Sequence, residues 1–489
     1  MAKAMIGLEI HVQLTEAGSK LFCDCRSDYR GMKPNENVCP VCLGLPGALP
    51  VASRRAIILA IAIARALQCS IPEAIVFTRK HYFYPDLPKN YQITQYEKVG
   101  GAPVCEGGFL TYIDTEKWEW RSVRIRRINL EEDPGRTIYP EGDITRSEKA
   151  LVDYNRSGVP LLEIVTEPDI EGPREARSAI EYLLLILEYI GATNPRLEGA
   201  FRVDANVSVE GGERVEVKNI GSVVDVEKAL RYELLRQESI VREGGRIGRE
   251  TRHWDSVRGV TKPLRYKETE EEYLYFPDPD LPPIRLTRDM IAEATKLASL
   301  LPSTAFDEIT RLGIPRDIAW SIVSVRHASR LFLESVKLGA SPQILARIIG
   351  IDYKGELREA GLDPYNPSNW PPASTLKAIS QLIEKGEYTY DTIKGLVIPV
   401  LARKPHASLS EILPEKAANV GQVVDQVLRE ERKAVEDYLS GNKKALNYLI
   451  GSVIKRIGKK AVDPRIIREE LLRRLESGVQ HVEEQGRKG

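Results

Sequence analysis

The sequence predicts an α+β protein, in which a domain built on an antiparallel β-sheet with helices is followed by two all-α domains. Strict alternation of apolar and polar residues marks strands in the first part of the chain, as at residues 5–14 and 201–209. Amphipathic helical patterns fill the chain after about residue 290. A chain of 489 residues corresponds to roughly three domains of ~150 residues each. We therefore expect domains at residues 1–290, 291–405 and 406–489.

The composition is that of an ordinary folded protein, because 42% of the residues are hydrophobic and 29% are charged. Lys plus Arg and Asp plus Glu both number 70, so a nucleic-acid surface requires uneven placement of charge. The longest apolar run, residues 56–64, is too short to span a bilayer, and the chain shows no secretion signal. We expect a cytoplasmic protein with no membrane contact, whose six cysteines are thiols or metal ligands.

The first predicted strand, residues 5–14, carries Glu9, His11 and Gln13 on its polar face, and its other face is apolar. A carboxylate beside an imidazole suits a divalent cation or a site that handles phosphate. An edge strand with a solvated polar face fits the same pattern. The strand alone therefore leaves both interpretations open.

Two close pairs of cysteines follow this strand. Cys23 and Cys25 are separated by thirteen residues from Cys39 and Cys42. Four soft ligands on two tight turns match a structural zinc site with four thiolates, although free thiols or a redox pair are alternatives. We expect a zinc-binding loop over residues 23–42. Its closed coordination would make the zinc structural rather than catalytic.

A loop rich in tyrosine and cations occupies residues 79–95. Its tyrosine hydroxyls, including that of Tyr82, could position an anionic substrate together with Arg79, Lys80 and Lys89. A solvated aromatic loop explains the composition equally well.

Consecutive carboxylates end the next predicted strand. Glu131, Glu132 and Asp133 stop at a Pro-Gly turn, and a cation among them would relieve their mutual repulsion. The alternative is a solvated acidic turn.

A Gly-Gly pair predicts a hairpin whose strands carry Asp204 and Glu216 on one polar face. A three-residue loop or a glycine bulge would place Ser208 opposite Glu216 and Asn206 opposite Lys218. The three acidic stretches supply mainly oxygen ligands, which favour magnesium or manganese over a second zinc. The sequence has neither a phosphate-binding loop nor a dinucleotide-binding motif, so a nucleotide would be held by metal and side chains.

Six motifs are specific when they are taken together. They are Gly7-Leu-Glu-Ile-His-Val-Gln13, Tyr82-Phe-Tyr-Pro-Asp-Leu-Pro-Lys89, Leu130-Glu-Glu-Asp133, Asp153-Tyr-Asn-Arg-Ser-Gly-Val-Pro160, Glu163-Ile-Val-Thr-Glu-Pro-Asp169 and Val217-Lys-Asn-Ile220. The chain thereby resembles, over its whole length, the B subunits of the aspartyl/glutamyl-tRNA amidotransferases, as an archaeal-like member. A longer archaeal relative carries an inserted synthetase-like domain, for which this chain has no room.

The resemblance implies that residues 1–290 form a catalytic cradle domain. This domain would use ATP to phosphorylate the side-chain carboxylate of mischarged aspartyl- or glutamyl-tRNA. Ammonia from a glutaminase partner would then displace phosphate, which leaves asparaginyl- or glutaminyl-tRNA. The implied partners are an amidase A subunit and a small C subunit in a heterotrimer, together with tRNA and in some cases the cognate synthetase.

The resemblance also implies roles for individual residues. His11 and Glu132 would hold one Mg²⁺ ion. The ligation of this ion and of a second cation would be shared by Glu9, Glu131, Asp204 and Glu216. Catalytic roles beside the phosphates or the ammonia path would fall to Glu132, Lys80 and Tyr82, and ATP contacts to Lys218, Arg79 and Lys89. Two positions depart from the family pattern: Asn129 replaces its usual histidine and Gly221 an asparagine.

A local basic patch lies near the end of the chain. Residues 441–460 contain six cations and no acidic residue, namely Lys443, Lys444, Lys455, Arg456, Lys459 and Lys460. This patch suits tRNA phosphates, although it also fits the solvated side of an amphipathic helix. The resemblance to a tRNA-binding tail favours binding.

Two other functions fit the same features. A zinc-stabilised tRNA-binding chaperone would need no catalysis, and a metal-dependent hydrolase would need neither ATP nor ammonia. The sequence leaves open which of the two tRNAs is the substrate, because no short motif carries that choice.

Overall fold

The computed structural model describes residues 4–142, 146–264, 273–413, 420–457 and 467–475. The chain divides into two compact units, Met1–Ser303 and Thr304–Gly489. The first unit combines sheets with helices and the second is helical, which confirms the predicted α+β class. The further division of the helical part near residue 405 stays a prediction.

The first unit contains sixteen described strands. They are β1 Ala4–Gln13, β2 Ala74–Ile75, β3 Thr78–His81, β4 Tyr91–Thr94, β5 Cys105–Glu106, β6 Phe109–Asp114, β7 Glu119–Glu132, β8 Arg136–Ile138, β9 Leu151–Asp153, β10 Pro160–Thr166, β11 Phe201–Val209, β12 Val215–Ile220, β13 Glu250–Asp255, β14 Val260–Pro263, β15 Phe276–Pro277 and β16 Ile284–Arg285. Nine of them form one sheet in the order β14-β13-β12-β11-β1-β10-β7-β5, with β6 also paired to β7. The first strand therefore lies in the middle of the sheet and not at its edge.

One face of this sheet is apolar and is covered by helices. The apolar side chains of β1, such as Ile6, Leu8 and Ile10, are completely or almost completely buried. The helices of the first unit are α1 Arg54–Ala66, α2 Pro173–Ile190, α3 Val223–Arg242 and α4 Arg288–Leu297. Helix α2 begins at Pro173, a residue suited to the first helical position, and ends before Gly191, whose backbone is left-handed.

The other face carries the polar residues and is partly covered by a second sheet. This small sheet has the strand order β15-β3-β4. The hydroxyl of Thr94 in β4 donates to Glu131 of β7 at 2.8 Å. The small sheet thus brings the predicted cationic loop onto the polar face of the large sheet.

The predicted register of the β11–β12 hairpin is wrong by two residues. Asn206, and not Ser208, lies opposite Glu216, and the register shifts between Val203 and Ala205. The loop is longer than predicted: Gly212 N–H donates to Val209 O at 3.0 Å and Glu213 N–H donates to Ile247 O at 3.1 Å, so the ladder begins only at the Val207–Val215 pair. Farther along, at the register shift, the Asp204 side chain accepts the backbone N–H of Asn219 at 2.7 Å. A shift of two residues preserves the face of each side chain, so Asp204 and Glu216 still point to the polar face.

The second unit consists of helices. Its described helices begin with α5, which spans the boundary, and they are α5 Pro302–Arg311, α6 Arg316–Val323, α7 Arg326–Lys337, α8 Pro342–Arg347, α9 Lys354–Glu359, α10 Ala373–Glu384, α11 Tyr390–Thr392, α12 Ile398–Arg403, α13 Leu409–Ile412, α14 Val420–Glu430, α15 Arg432–Leu439 and α16 Lys444–Ile457. Residues 467–475 are also helical and share a core with α14 and α16. Within the described parts of the chain, no helix is both long and apolar enough to cross a bilayer.

Candidate active site

A polar row crosses four neighbouring strands of the large sheet. Arg202 of β11 lies opposite His11 of β1, His11 lies opposite Glu163 of β10, and Glu163 lies opposite Asn129 of β7. Directly paired residues in antiparallel strands share a face, so these side chains meet. The sheet therefore gathers residues that are up to 191 positions apart.

The centre of this row is a cluster of Glu9, His11 and Glu163. Each offers one ligand atom, and these atoms all lie within 4.8 Å of one another. The Nε2 atom of His11 is 3.5 Å from Glu9 Oε1 and 3.8 Å from Glu131 Oε1. The structure thus brings three of the predicted metal ligands together and adds Glu163.

Sequence reasoning missed the role of Glu163. The sequence shows it only as a polar residue in a buried strand. A signal was present, because Glu163 is the one ionisable residue between Pro160 and Thr166 and a buried charge needs a partner. Its neighbours could not be foreseen, since they depend on β10 pairing with β1 and β7.

The acidic groups of the cluster are strained electrostatically. Burial, together with the nearby carboxylates of Glu163 and Asp204, raises the pKa of Glu9 to about 8. Burial and Glu163 likewise raise the pKa of Glu131 to about 7. The pKa of His11 lies well below its ordinary value, because the imidazole is buried and cations surround it. A neutral imidazole among carboxylates is ready to bind a cation.

Two buried atoms in this region have no hydrogen-bond partner among the described residues. They are His11 Nδ1 and Asn129 Oδ1. Buried polar atoms without partners are uncommon in folded proteins, and they are often satisfied by a bound ion or water. The donor set, with carboxylate oxygens and one imidazole, fits Mg²⁺ or Mn²⁺. The residues present therefore fit the cation that the resemblance implies.

The two consecutive glutamates of β7 point to different surroundings. Glu131 is the one beside His11. Glu132 is buried and accepts from the Lys89 ammonium and from the backbone N–H of Ile93 at 2.9 Å. Alternation along a strand separates the two side chains. Glu132 is thus hydrogen-bonded to Lys89 and Ile93 in this structure, and its role as a ligand beside His11 stays a prediction.

Asp204, Glu216 and Lys218 form the neighbouring part of the polar face. Asp204 lies directly opposite Glu9. The Lys218 ammonium is 3.8 Å from Asp204 Oδ2 and 3.7 Å from Glu216 Oε1. Burial raises the pKa of Asp204 even though Lys218 opposes this shift. The positive charge in this part of the polar face is therefore supplied by the Lys218 ammonium.

The cationic loop places its charged residues in different environments. Lys80 Nζ lies over the ring of Tyr273 at 4.6 Å and over that of Tyr82 at 5.7 Å. Burial and the nearby Glu131 raise the pKa of Tyr82. Arg79 is paired with two aspartates, at 2.9 Å from Asp278 and 2.7 Å from Asp280. The predicted contacts of Arg79 and Lys89 with ATP remain predictions, since both cations are engaged by carboxylates.

A buried ion pair that the sequence did not reveal borders the cluster. Asp133 accepts from Gln13 at 2.6 Å and from Arg202 at 3.3 Å, and Arg156 lies 4.0 Å away. Arg156 and Arg202 keep the pKa of Asp133 below its ordinary value, although burial opposes this. Asp133 is therefore a charged anchor for Arg202 and not a free metal ligand.

The four predicted zinc ligands are close together. The four Sγ atoms all lie within 4.8 Å of one another, and they belong to Cys23, Cys25, Cys39 and Cys42. A tetrahedral zinc site with Zn–S bonds near 2.3 Å requires sulfurs about 3.8 Å apart, so this set fits zinc. The Cys42 sulfur also accepts from the backbone N–H of Cys39 at 3.2 Å and from Lys20 at 3.5 Å. Hydrogen bonds from Cys23 and the Lys20 charge lower the pKa of Cys42 to about 4.

The predicted basic patch is only partly available. Lys443, Lys444 and Lys455 are exposed at or near α16. Arg456 is paired with Glu430 of α14 and lies 4.0 Å from Glu431. Lys459 and Lys460 fall outside the residues that the structure describes. Within the described residues, the exposed cations of the patch outside this ion pairing are therefore three lysines: Lys443, Lys444 and Lys455.

Comparison with known proteins gives the class to which this fold and site belong. Residues 4–292 match the family described as the GatB/GatE catalytic domain, and residues 330–475 match the family described as the GatB domain. A protein of Aeropyrum pernix, named as the B subunit of an aspartyl/glutamyl-tRNA(Asn/Gln) amidotransferase, is 65% identical over 470 residues, which is 96% of each chain.

Relatives with the same name are also found at lower identity. The protein of Sulfurisphaera tokodaii is 44% identical over 95% of this chain and 98% of its own length. That of Methanococcoides burtonii is 40% identical over 97% and 98%. The chain belongs to the family of aspartyl/glutamyl-tRNA amidotransferase B subunits.

Proposed function

We propose that this chain is the component that activates and amidates the acyl group in a tRNA-dependent amidotransferase, converting Asp-tRNA(Asn), Glu-tRNA(Gln) or both. The observation that carries the proposal is the buried cluster of Glu9, His11 and Glu163 beside the cations Lys80 and Lys218. A site of this composition suits phosphoryl transfer, which needs positioning and charge neutralisation more than a covalent nucleophile.

The reaction has two steps that balance without a redox change. An oxygen of the aminoacyl side-chain carboxylate attacks the γ-phosphorus of ATP, and ADP leaves. Ammonia then attacks the acyl carbon of the mixed anhydride, and phosphate leaves to give the carboxamide. A Mg²⁺ ion bound at the cluster would neutralise charge on the transferring phosphoryl group.

The residues of the chain divide the remaining work. His11, Glu9 and Glu163 hold the cation, and Glu131, Asp204 and Glu216 support it or a second cation. Lys80 and Lys218 are oriented by aromatic rings or carboxylates and attract the phosphates. Glu132 and Tyr82 act beside the reacting groups, and Arg79 and Lys89 contact ATP once it replaces their present carboxylate partners.

The partners belong to the same proposal. The naming of the relatives as B subunits supports a multi-subunit enzyme, in which an amidase A subunit supplies ammonia and a small C subunit completes a heterotrimer. The complex acts in the cytoplasm, residues 1–290 hold the active site, and residues 291–405 form a helical domain. The tail, residues 406–489, binds tRNA through its lysines, and zinc stabilises the loop over residues 23–42.

The test is reconstitution of the complex with ATP, Mg²⁺, glutamine and labelled Asp-tRNA or Glu-tRNA, followed by identification of the amino acid released by deacylation. We expect asparagine or glutamine with the wild type, and about 100-fold less with His11→Ala because a cation ligand is lost. Gln237→Leu, which changes a buried amide on α3, is the matched control and retains activity.

The outcomes separate the candidate functions. Unchanged aspartate and glutamate in an assembled complex that binds tRNA would leave only a binding role. Release of free tRNA without ATP or glutamine would indicate a hydrolase instead. Either result contradicts the proposal.

A further inference from the structure

Asn129 lies in β7 beside the cluster of Glu9, His11 and Glu163, and its contacts are specific. It is only 3% exposed and lies directly opposite Glu163 in the β7–β10 pairing. Its Nδ2 donates to Glu163 Oε2 at 2.7 Å. Its Oδ1 is buried and has no hydrogen-bond partner among the described residues. The NH₂ group of the amide is therefore hydrogen-bonded, whereas its carbonyl oxygen is not.

The orientation of this amide follows from chemistry. The NH₂ group donates to Glu163, which leaves the carbonyl oxygen as the acceptor without a protein partner among the described residues. On the other side, Arg127 Nη2 lies 3.5 Å from Glu163 Oε1. Glu163 is thus held at both oxygens while it belongs to the cluster with Glu9 and His11.

We infer that Asn129 is a positioning residue of the cation site. Its Nδ2 fixes the Glu163 carboxylate, and its Oδ1 would accept a hydrogen bond from a water molecule bound to the cation. Groups that orient metal ligands contribute as strongly as many ligands do. This inference rests on the proposed function, because it requires that Glu9, His11 and Glu163 bind a cation.

A positioning role depends on the hydrogen-bonding groups of the Asn129 side chain and not only on its volume. A neutral imidazole, like an amide, offers one hydrogen-bond donor and one acceptor. A residue that only filled space would need neither. Substitutions that keep the donor and acceptor should therefore differ from those that keep only the volume.

The test measures Mn²⁺ binding by the purified full-length chain, using the electron paramagnetic resonance signal of free Mn²⁺. We expect Asn129→Leu, which keeps the volume, to weaken Mn²⁺ affinity about 10- to 100-fold. Asn129→His should stay within about 3-fold of the wild type, since it restores a donor and an acceptor. Asn129→Ser, whose hydroxyl is too short to reach Glu163, should fold readily and bind as weakly as the leucine variant.

Gln237 provides a matched control on α3. Its Nε2 donates to Glu233 Oε1 at 2.9 Å, and its Oε1 is also buried without a partner in the described chain. Gln237→Leu removes the same kind of amide from another buried glutamate and should leave Mn²⁺ affinity unchanged.

Each outcome decides a different claim. Wild-type affinity in folded Asn129→Leu and Asn129→Ser overturns the positioning role and leaves the proposed function intact. Equal loss in Asn129→His and Asn129→Leu also overturns it, because the donor and acceptor would then be irrelevant. Absence of Mn²⁺ binding by the wild type overturns both this inference and the proposed cation site.

Discussion

The carboxylate of Glu9 is strongly perturbed, because burial and neighbouring carboxylates raise its pKa to about 8. It shares a face with His11 and lies opposite Asp204 across the strand boundary. The alternation of residues 5–14 predicts the shared face of Glu9 and His11. It does not predict that Glu163 lies opposite His11, because the two residues are more than 150 positions apart in the sequence. Residue types and faces are thus readable from the sequence, whereas neighbours across strands are not.

The raised pKa of Glu9 makes the stability of the cation-free protein depend on pH. Folded Glu9 titrates near pH 8 and unfolded Glu9 near 4.5, so the folded state holds this proton more tightly. The stability that protonated Glu9 contributes is present below pH 4.5 and is lost as the pH rises towards 8. In buffer freed of divalent cations, the melting temperature of Glu9→Gln should therefore fall less than that of the wild type between about pH 5.5 and 8.5. Melting temperatures are measured by circular dichroism. An equal fall in melting temperature with rising pH in the two proteins would contradict the raised pKa of Glu9.

At the scale of elements, local signals predict ends better than partners. Pro173 and Gly191 predict the ends of α2, and the structure confirms them. The Gly-Gly pair predicts the β11–β12 hairpin but gives the wrong register, since Glu213 N–H donates to Ile247 O, which lies outside the hairpin, and the loop is longer than predicted. The small β15-β3-β4 sheet was not predicted, because its two-residue strand β15 has no periodic pattern to detect.

The zinc loop is an element that should require its metal. Cys42→Ser removes one of four ligands, so bound zinc should fall from about one per chain to almost none, with a lower melting temperature of the first unit. Elemental analysis by mass spectrometry measures the zinc. Cys69→Ser is the control, since Cys69 lies outside the four-sulfur cluster, and it should keep its zinc. Full zinc content in Cys42→Ser would rule out the predicted site.

The turn between β4 and β5 depends on Gly101. A Cβ atom there would lie 2.5 Å from the Tyr96 backbone nitrogen and 2.6 Å from its oxygen, and Tyr96 stacks on Tyr275 at 4.2 Å. Gly101→Ala should lower the free energy of unfolding by about 2 kcal/mol, because backbone atoms must move. At Gly248 a Cβ atom would meet nothing within 4 Å. Gly248→Ala should therefore change the free energy of unfolding by less than about 0.5 kcal/mol. Equal denaturant midpoints for the two variants would show that the turn is not tight.

For the whole molecule, equal totals of acidic and basic residues hide an uneven distribution. The sequence predicts a helical second part and a basic segment near its end, and α16 lies in that segment. It could not show that Arg456 is neutralised, because its partner Glu430 belongs to another helix. The cations left for a polyanion in the described segment are Lys443, Lys444 and Lys455.

Changing these three lysines to glutamate should weaken tRNA binding. If each lysine contacts one phosphate, the slope of log K against log salt concentration should fall in magnitude by about 2 to 3. Filter binding over a range of salt concentrations measures this slope. Arg456→Gln should have a much smaller effect, since Glu430 and Glu431 already compensate its charge. A triple variant with an unchanged slope would place the tRNA surface elsewhere.

We propose that the cluster on the polar face of the large sheet is the site at which ATP phosphorylates an aminoacyl side chain. The most direct measurement follows ³²P from γ-labelled ATP into mischarged tRNA in the assembled complex, with Mg²⁺ present and glutamine absent. We expect a labelled, hydroxylamine-sensitive aminoacyl-tRNA with the wild type and its loss with His11→Ala or Glu163→Gln. Label transfer that persists in both variants would contradict this claim, because the reaction would then not depend on the cluster.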